Sequence, residues 1–406
     1  ADIPLLEYNT EDGVGVEPKY FVPVLPMAVL ESVHTPAHGW KIKMWARDTM
    51  ETINRVRFLI NCYVSDRATL ETGLAPIKTH TRGFKGEFRY HRGREYCFGT
   101  YVFDPATRLL RITELPLRQW TQRYVDALNS DAEGSIKYVE FEHGDTNVKV
   151  QMFSEAADYS TADDICIELY LSPIDKATGF DPLRYITDCA NGGFADGIEV
   201  YFGLYKSMRP TISLLDVDNR VLEYTNYEEP VKRWFITRKA FYIARITRQL
   251  VIAQTKLKIL TAQIKYIALR EELAVDGKDE AVVIELCKTH GLPVAVVSLE
   301  DGHRIVNKAK QYIPTDRISA EVFESADASY DYLLNTSDRQ RLATAVESRR
   351  VKAAELAATI TKLEAELCAK PFPGASTWLS ELDGIADVVR LGHSLNWNFN
   401  AGKYTY

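Results

Sequence analysis

Residues 231–274 read VKRWFITRKAFYIARITRQLVIAQTKLKILTAQIKYIALREELA, forty-four positions without a proline or a glycine. Apolar residues recur along this stretch at Leu250, Leu257, Leu260, Ile264 and Ile267, the spacing that keeps one stripe of a helix facing a partner. Pro230 stands just before it, where a missing N–H costs a helix nothing. Downstream, Leu342, Val346, Ala353, Leu356, Ile360, Leu363 and Leu367 alternate steps of four and three, with Arg349 as the one interruption. That is a heptad seam, and Pro371 and Pro373 end it. Two such helices around an insert predict an antiparallel coiled coil with a small globular tip.

The sequence before these arms has a different texture. ICIELYL, NVKVQMF and RLLRITEL are rich in β-branched and aromatic residues and read as strands. TISLLDVDNRVLEY reads as a hairpin closing on Asp218-Asn219, and RQWTQRYVDAL and DPLRYITDCA as short helices. The opening VEPKYFVPVLP is an extended, proline-stiffened entry segment. The fold class expected is an α+β tower domain, then a long antiparallel coiled coil with a small helical gate domain. The divisions expected are 1–40 for the entry and wedge region and 41–228 for the tower. The arms occupy 229–275 and 335–370, the gate 276–334, and a segment returning along the arm 371–406.

With 406 residues, the chain exceeds what one hydrophobic core usually organises. Its six cysteines form no C-x-x-C pair, which argues against a disulfide framework or a thiolate zinc site. No apolar run is long enough to cross a bilayer, and no signal-peptide pattern opens the chain. The location expected is intracellular: the nucleus for a cellular protein, host replication sites for a viral one. Net charge is −7, but the distribution is uneven. Lys41 to Arg94 holds twelve basic and five acidic residues, and Val231 to Arg270 holds ten basic and no acidic ones. Clusters of this kind are the electrostatic footprint of a phosphate partner. The acid-free stripe of Lys232, Arg233, Arg238, Lys239, Arg245, Arg248, Lys256 and Lys258 is expected to meet an anionic partner.

VEPKYFVPVLPMAVL (16–30), GFKG (83–86), ITELPLRQWTQRY (112–124), FEHGDTNVKV (141–150), YDYLLNTSDRQRLA (330–343) and STWLSELDGI (376–385) carry a resemblance. In these blocks and in their order, the chain resembles the eukaryotic-type type IIA DNA topoisomerases. The resemblance implies the tower, coiled coil and lower gate of a homodimer that passes one duplex through another. It implies magnesium and ATP as cofactors of the full-length enzyme, neither bound by this chain. It also implies a nucleophilic tyrosine and a metal site lying before Ala1, so that this chain alone has no catalytic residues. The resemblance is to a compact, diverged member of the family, and one from a large DNA virus would fit. The alternative is a non-enzymatic coiled-coil protein that binds DNA and dimerises.

The same resemblance aligns Pro36, in LESVHTPAHGW, with an intercalating isoleucine, although the family's loop has glycine where Thr35 and Ala37 stand. Apolar wedges can enter a base step and kink the duplex. The DNA-binding set expected is Pro36, His38, Lys41, Lys43, Lys85, Arg118, Trp120 and Gln122, with His34 alongside. Tyr330, Tyr332, Leu333 and Leu334 are expected at the dimer gate. Arg89-Tyr90, Arg123-Tyr124 and Arg184-Tyr185 look like a nucleophile motif but follow the entry segment, the wrong order for the family. Asp216 and Asp218 read as turn residues rather than metal ligands. Pro36 between His34 and His38 rules out a helical zinc pair.

Overall fold

The computed structural model describes residues 2–12, 14–37, 39–63, 75–132, 134–143, 146–272, 278–296, 300–301, 304–305, 312–337 and 342–394. The long helix runs Glu228–Glu272. Its root buries Val231, Phe235, Arg238, Tyr242 and Arg245, steps of four, three, four and three that define one face. The return helix, Ala343–Leu367, packs against it. Val346, Arg349, Ala353, Leu356, Ile360 and Leu367 are half-buried and Leu363 is buried, while the positions between them are mostly exposed. The expected seam is present from Val346 onward, Arg349 included, and it is narrow, whereas Leu342 stands 57% exposed just before the helix.

Three apolar cores organise the chain upstream of the arms, one of them shared with the arm root and the terminal helix. In the base core, the helix Thr49–Asn61 contributes Ile53, Val56, Leu59 and Ile60. The root of the long helix adds Val231, Phe235 and Tyr242, and the terminal helix, Ala375–Ser394, adds Trp378, Leu382 and Ala386. Trp378 is 0% exposed. Its ring stacks on Phe235 at 5.1 Å and on Tyr242 at 4.9 Å, and its indole N–H donates to the Val24 carbonyl at 3.3 Å. Gly374 makes this docking possible. Its φ is +84°, and a Cβ there would lie 2.8 Å from the Tyr242 Cβ.

The tower core is separate. A four-stranded antiparallel sheet, in the order Ala157–Asp158, Ile167–Tyr170, Leu109–Glu114, Thr100–Asp104, presents Leu110, Ile112, Ile167 and Leu169 inward. Tyr124, Val125 and Leu128 of the helix Thr121–Leu128 close it. A three-stranded sheet of Tyr205–Met208, Arg94–Phe98 and Glu87–His91 joins tower to base. There Trp45, Cys97 and Met208 form a small core of their own.

Two expected divisions are corrected. Residues 41–228 are not one domain, because 44–60 and 212–227 contribute to the base core whereas 110–204 build the tower. Residues 371–394 do not run back along the arm. The terminal helix lies against Thr49–Asn61 instead, with Trp378 stacked on Phe235 and Tyr242 at the root of the long helix.

Candidate nucleic-acid interface

The wedge region is a two-stranded hairpin, Val33–Ala37 paired with Trp40–Met44. Its register sets Pro36 opposite Lys41 and His34 opposite Lys43. Residues two apart on one strand, and those directly opposite on its partner, point to the same side. His34, Pro36, Lys41 and Lys43 therefore share one face. The other face carries Ile42 and Met44, which pack into the base core and anchor the hairpin. Proline is tolerated at Pro36 because this is an edge strand with no further partner to receive an N–H. Gly39, with φ +84°, makes the turn, and Trp40 stands exposed beside it. His38 lies outside the described residues.

Arg118 comes to this face from the tower. Residues 116–119 form a tight turn closed by Gln119 N–H donating to the Pro116 carbonyl at 3.0 Å, with Arg118 at φ +64°. A non-glycine residue held in this left-handed region costs on the order of 1 kcal/mol. The turn carries the Arg118 guanidinium to 5.7 Å from the Trp45 ring centroid, and the Lys43 ammonium lies 4.9 Å from the same ring. One indole thus gathers a cation from the hairpin and one from the tower. Desolvation, and then Arg118 and Lys41, hold the Lys43 ammonium below its usual range. Desolvation, then Arg118, Lys41 and Lys43, lower His34 in the same way. No ion-pair partner faces Lys41, Lys43 or Arg118 among the described residues. Unpaired cations pressed together around an exposed proline make an anion-seeking surface.

The other expected contacts divide. Trp120 is 75% exposed, two residues beyond Arg118, so its indole is open to solvent on that side of the tower. Gln122 is exposed, but its amide donates to Asp126 at 2.9 Å, one turn along the same helix. The Lys85 ammonium is taken by Asp164, which answers its charge. Lys85 is therefore no free phosphate contact in this structure. Trp40 and Arg209 are candidates that the sequence reading missed. Trp40 pairs with Ala37, on the face opposite Pro36, so alternation from Pro36 gave no signal for it.

The acid-free stripe on the long helix is the main correction. Arg238, 1% exposed, donates to Asp2 at 2.6 Å and to the Val22 carbonyl at 2.7 Å. Arg245 donates to Asp2 at 2.8 Å and to Glu381 at 2.7 Å. Burial works against the Asp2 carboxylate, but hydrogen bonds and charge from Arg238 and Arg245 bring it below its ordinary range. Arg248 donates to the Ile313 carbonyl at 2.6 Å, and Arg233 pairs with Asp216. These cations face protein. The acids that answer them come from the entry segment, the Asp216 turn and the terminal helix, all remote in sequence.

Among the gate residues, Leu333 is corrected. Leu333 is 0% exposed, in a core with Tyr266, Val283, Cys287 and Leu292. The Tyr330 hydroxyl donates to the Leu292 carbonyl at 3.1 Å and the Tyr332 hydroxyl to that of Pro293 at 2.7 Å. Together with Leu334, these side chains knit the insert to the long helix within one chain. The Asp216–Asp218 hairpin forms as expected, with Asn219 at φ +59°. Tyr124 is buried, its hydroxyl donating to the Phe202 carbonyl at 2.7 Å. Among the described residues no three His, Cys, Asp or Glu side chains converge as a metal site, and no helix is long and apolar enough to cross a membrane.

Known proteins share this fold. The fold matches that of a Plasmodium falciparum topoisomerase II DNA-binding, cleavage and re-ligation domain, with TM-score 0.59 and 18% identity over 98% of this chain and 48% of the other. DNA topoisomerase 2 of African swine fever virus (isolate Tick/Malawi/Lil 20-1/1983) is 26% identical over 403 residues, 98% of this chain and 31% of the viral protein. DNA topoisomerase 2 of Penicillium chrysogenum is 24% identical over 345 residues, 82% of this chain and 19% of the fungal protein. The class is that of the type II topoisomerases. The family model for the A-type subunit of DNA gyrase/topoisomerase IV matches residues 1–382, and the chain belongs to that family. It spans about a third of the length of its viral relatives.

Proposed function

We propose that this chain grips and bends duplex DNA as the gate portion of a homodimeric type II topoisomerase, whose full-length protein relaxes and decatenates DNA by double-strand passage. The observation that carries this reading is the common face of His34, Pro36, Lys41 and Lys43, completed by Arg118 from the tower. Lysine and arginine supply sequence-independent attraction to phosphate. Pro36 is the apolar wedge they bring to a base step, and such wedges kink a duplex by about 20–90°. Trp120, exposed beside Arg118, adds a flat apolar surface against the sugar–phosphate edge. The nucleophilic tyrosine, the magnesium site and ATP hydrolysis belong, on this reading, to parts of the full-length protein outside this chain. The partner in the dimer is a second copy, met through surface of the insert rather than through Leu333.

The test is a bend measurement by fluorescence energy transfer across a labelled duplex. Pro36→Gly keeps the cations and removes the wedge, so it is expected to bind with little loss and to leave the duplex nearly straight. Pro36→Asp also removes the wedge but sets a carboxylate opposite Lys41, so it is expected to bind more weakly as well. A bend equal to that of the unsubstituted chain would remove Pro36 from the mechanism.

A further inference from the structure

We infer that the Arg92–Arg94 hairpin tip, with Arg209 beside it, is a second phosphate-binding point that holds the duplex arm flanking the wedge. The inference rests on the gate reading above and extends its footprint to residues not assigned there. Glu87–His91 and Arg94–Phe98 are joined by a turn with Arg92 at φ +48° and Gly93 at φ +74°. Turns of this geometry favour asparagine or aspartate before the glycine. An arginine there accepts backbone strain and stands at the outermost point of the hairpin.

The strand pairing then places Arg209. Met208 is opposite Glu95, so the chain leaving Met208 carries Arg209 alongside Arg94. Two residues later Thr211 exchanges both backbone hydrogen bonds with Lys43, each 2.9 Å. A continuous, hydrogen-bonded path thus runs from the arginine tip to the wedge hairpin. Tyr90, opposite Glu95 and 60% exposed, adds an exposed aromatic ring on the other face of the same strands.

The acids on these strands are already engaged. Glu95 accepts from Arg47 at 3.1 Å, and Glu87 is taken by Arg89, which also pairs with Glu199 at 2.8 Å. Arg92, Arg94 and Arg209 are exposed, and none has an ion-pair partner among the described residues. Contrast the long helix, where every deeply buried arginine finds an acceptor. Three uncompensated guanidinium groups continuing a line of cations suit an extended polyanion. The continuity with Lys43 and Arg118 points to the same duplex rather than to a separate ligand.

The experiment compares two duplexes on the full chain by fluorescence anisotropy across a salt series. The short duplex has about 12 base pairs, roughly 40 Å at 3.4 Å per pair, and the long one about 30 pairs. The variant is Arg92→Ser/Arg94→Ser/Arg209→Ser, three surface positions. For the long duplex, affinity is expected to fall about tenfold or more, and the slope of log affinity against log salt to become shallower by about 2–3. Affinity for the short duplex should not change, and Arg92→Lys/Arg94→Lys/Arg209→Lys should bind both like the unsubstituted chain. Equal long-duplex slopes in the serine variant and the unsubstituted chain would overturn the inference and leave the gate reading intact. If the unsubstituted chain bound neither duplex, the gate reading would fail, and this inference with it.

Discussion

The wedge hairpin and the root of the long helix are both rich in arginine and lysine, and they use their charge in opposite ways. At the hairpin, Lys41, Lys43 and Arg118 crowd one another without an acid, and desolvation together with this crowding depresses Lys43 and His34. At the helix root, Arg238 and Arg245 sit in the buried stripe, and Asp2 and Glu381 answer them. Local charge density is the same kind of signal in both places. What differs is the side to which the backbone turns it. An edge strand two residues from a turn exposes its side chains, whereas a helix face that continues Val231, Phe235 and Tyr242 must bury whatever occupies it.

The largest expected effect tests the buried half of that contrast. Arg238→Ala leaves Asp2 in a partly buried site without its closest cation and removes a group 1% exposed. Removing one member of a buried pair costs about 3–5 kcal/mol, so a clear drop in denaturant midpoint is expected, with little change in the salt slope of DNA binding at temperatures where the fold persists. A midpoint unchanged from the unsubstituted chain would mean that the network is not holding the base. Acid should weaken the same network. Asp2 is depressed in the folded chain, so its contribution is complete above its unfolded value of about 4 and is lost as pH falls through the lower folded value.

The exposed half predicts the reverse pattern. Lys43→Ala/Arg118→Ala should leave thermal stability nearly untouched, since neither residue has an acid partner to strand. Each phosphate contact contributes about 0.9 to the salt slope, so the double variant should lose roughly 2 units of slope. Retention of the full slope would show that these cations do not meet phosphate.

The smallest effect belongs to His34. Its imidazole is held below its ordinary value in the free chain, first by desolvation and then by the three cations. A phosphate beside it favours the protonated form, so binding takes up a proton and tightens as pH falls from about 7.5 towards 6, by less than about tenfold. His34→Gln should flatten that dependence. An unchanged pH profile in the variant would place His34 away from the DNA.

Much of the fold was legible in local pattern. A proline-free run of forty-four residues and a step of four and three identified both arms, because helix periodicity is local physics. The Asp218-Asn219 turn and the strands around Leu110 and Ile167 were readable for the same reason. The wedge proline was found by resemblance, and alternation across Gly39 explains why it shares a face with Lys41.

Other features depended on contacts between residues far apart in sequence. Nothing near Arg238 or Arg245 announces Asp2 or Glu381, more than 130 positions away. Leu333 and Tyr332 have the composition of an interface and turned out to close an internal core, since apolar character alone does not say which surface covers it. The sequence by itself determined the arms, the strands and the basic stretches, because spacing and composition act over a few residues. Only the tertiary structure decided which of those charges remain free for a partner, because neutralisation depends on which distant acids the packing brings within hydrogen-bond reach.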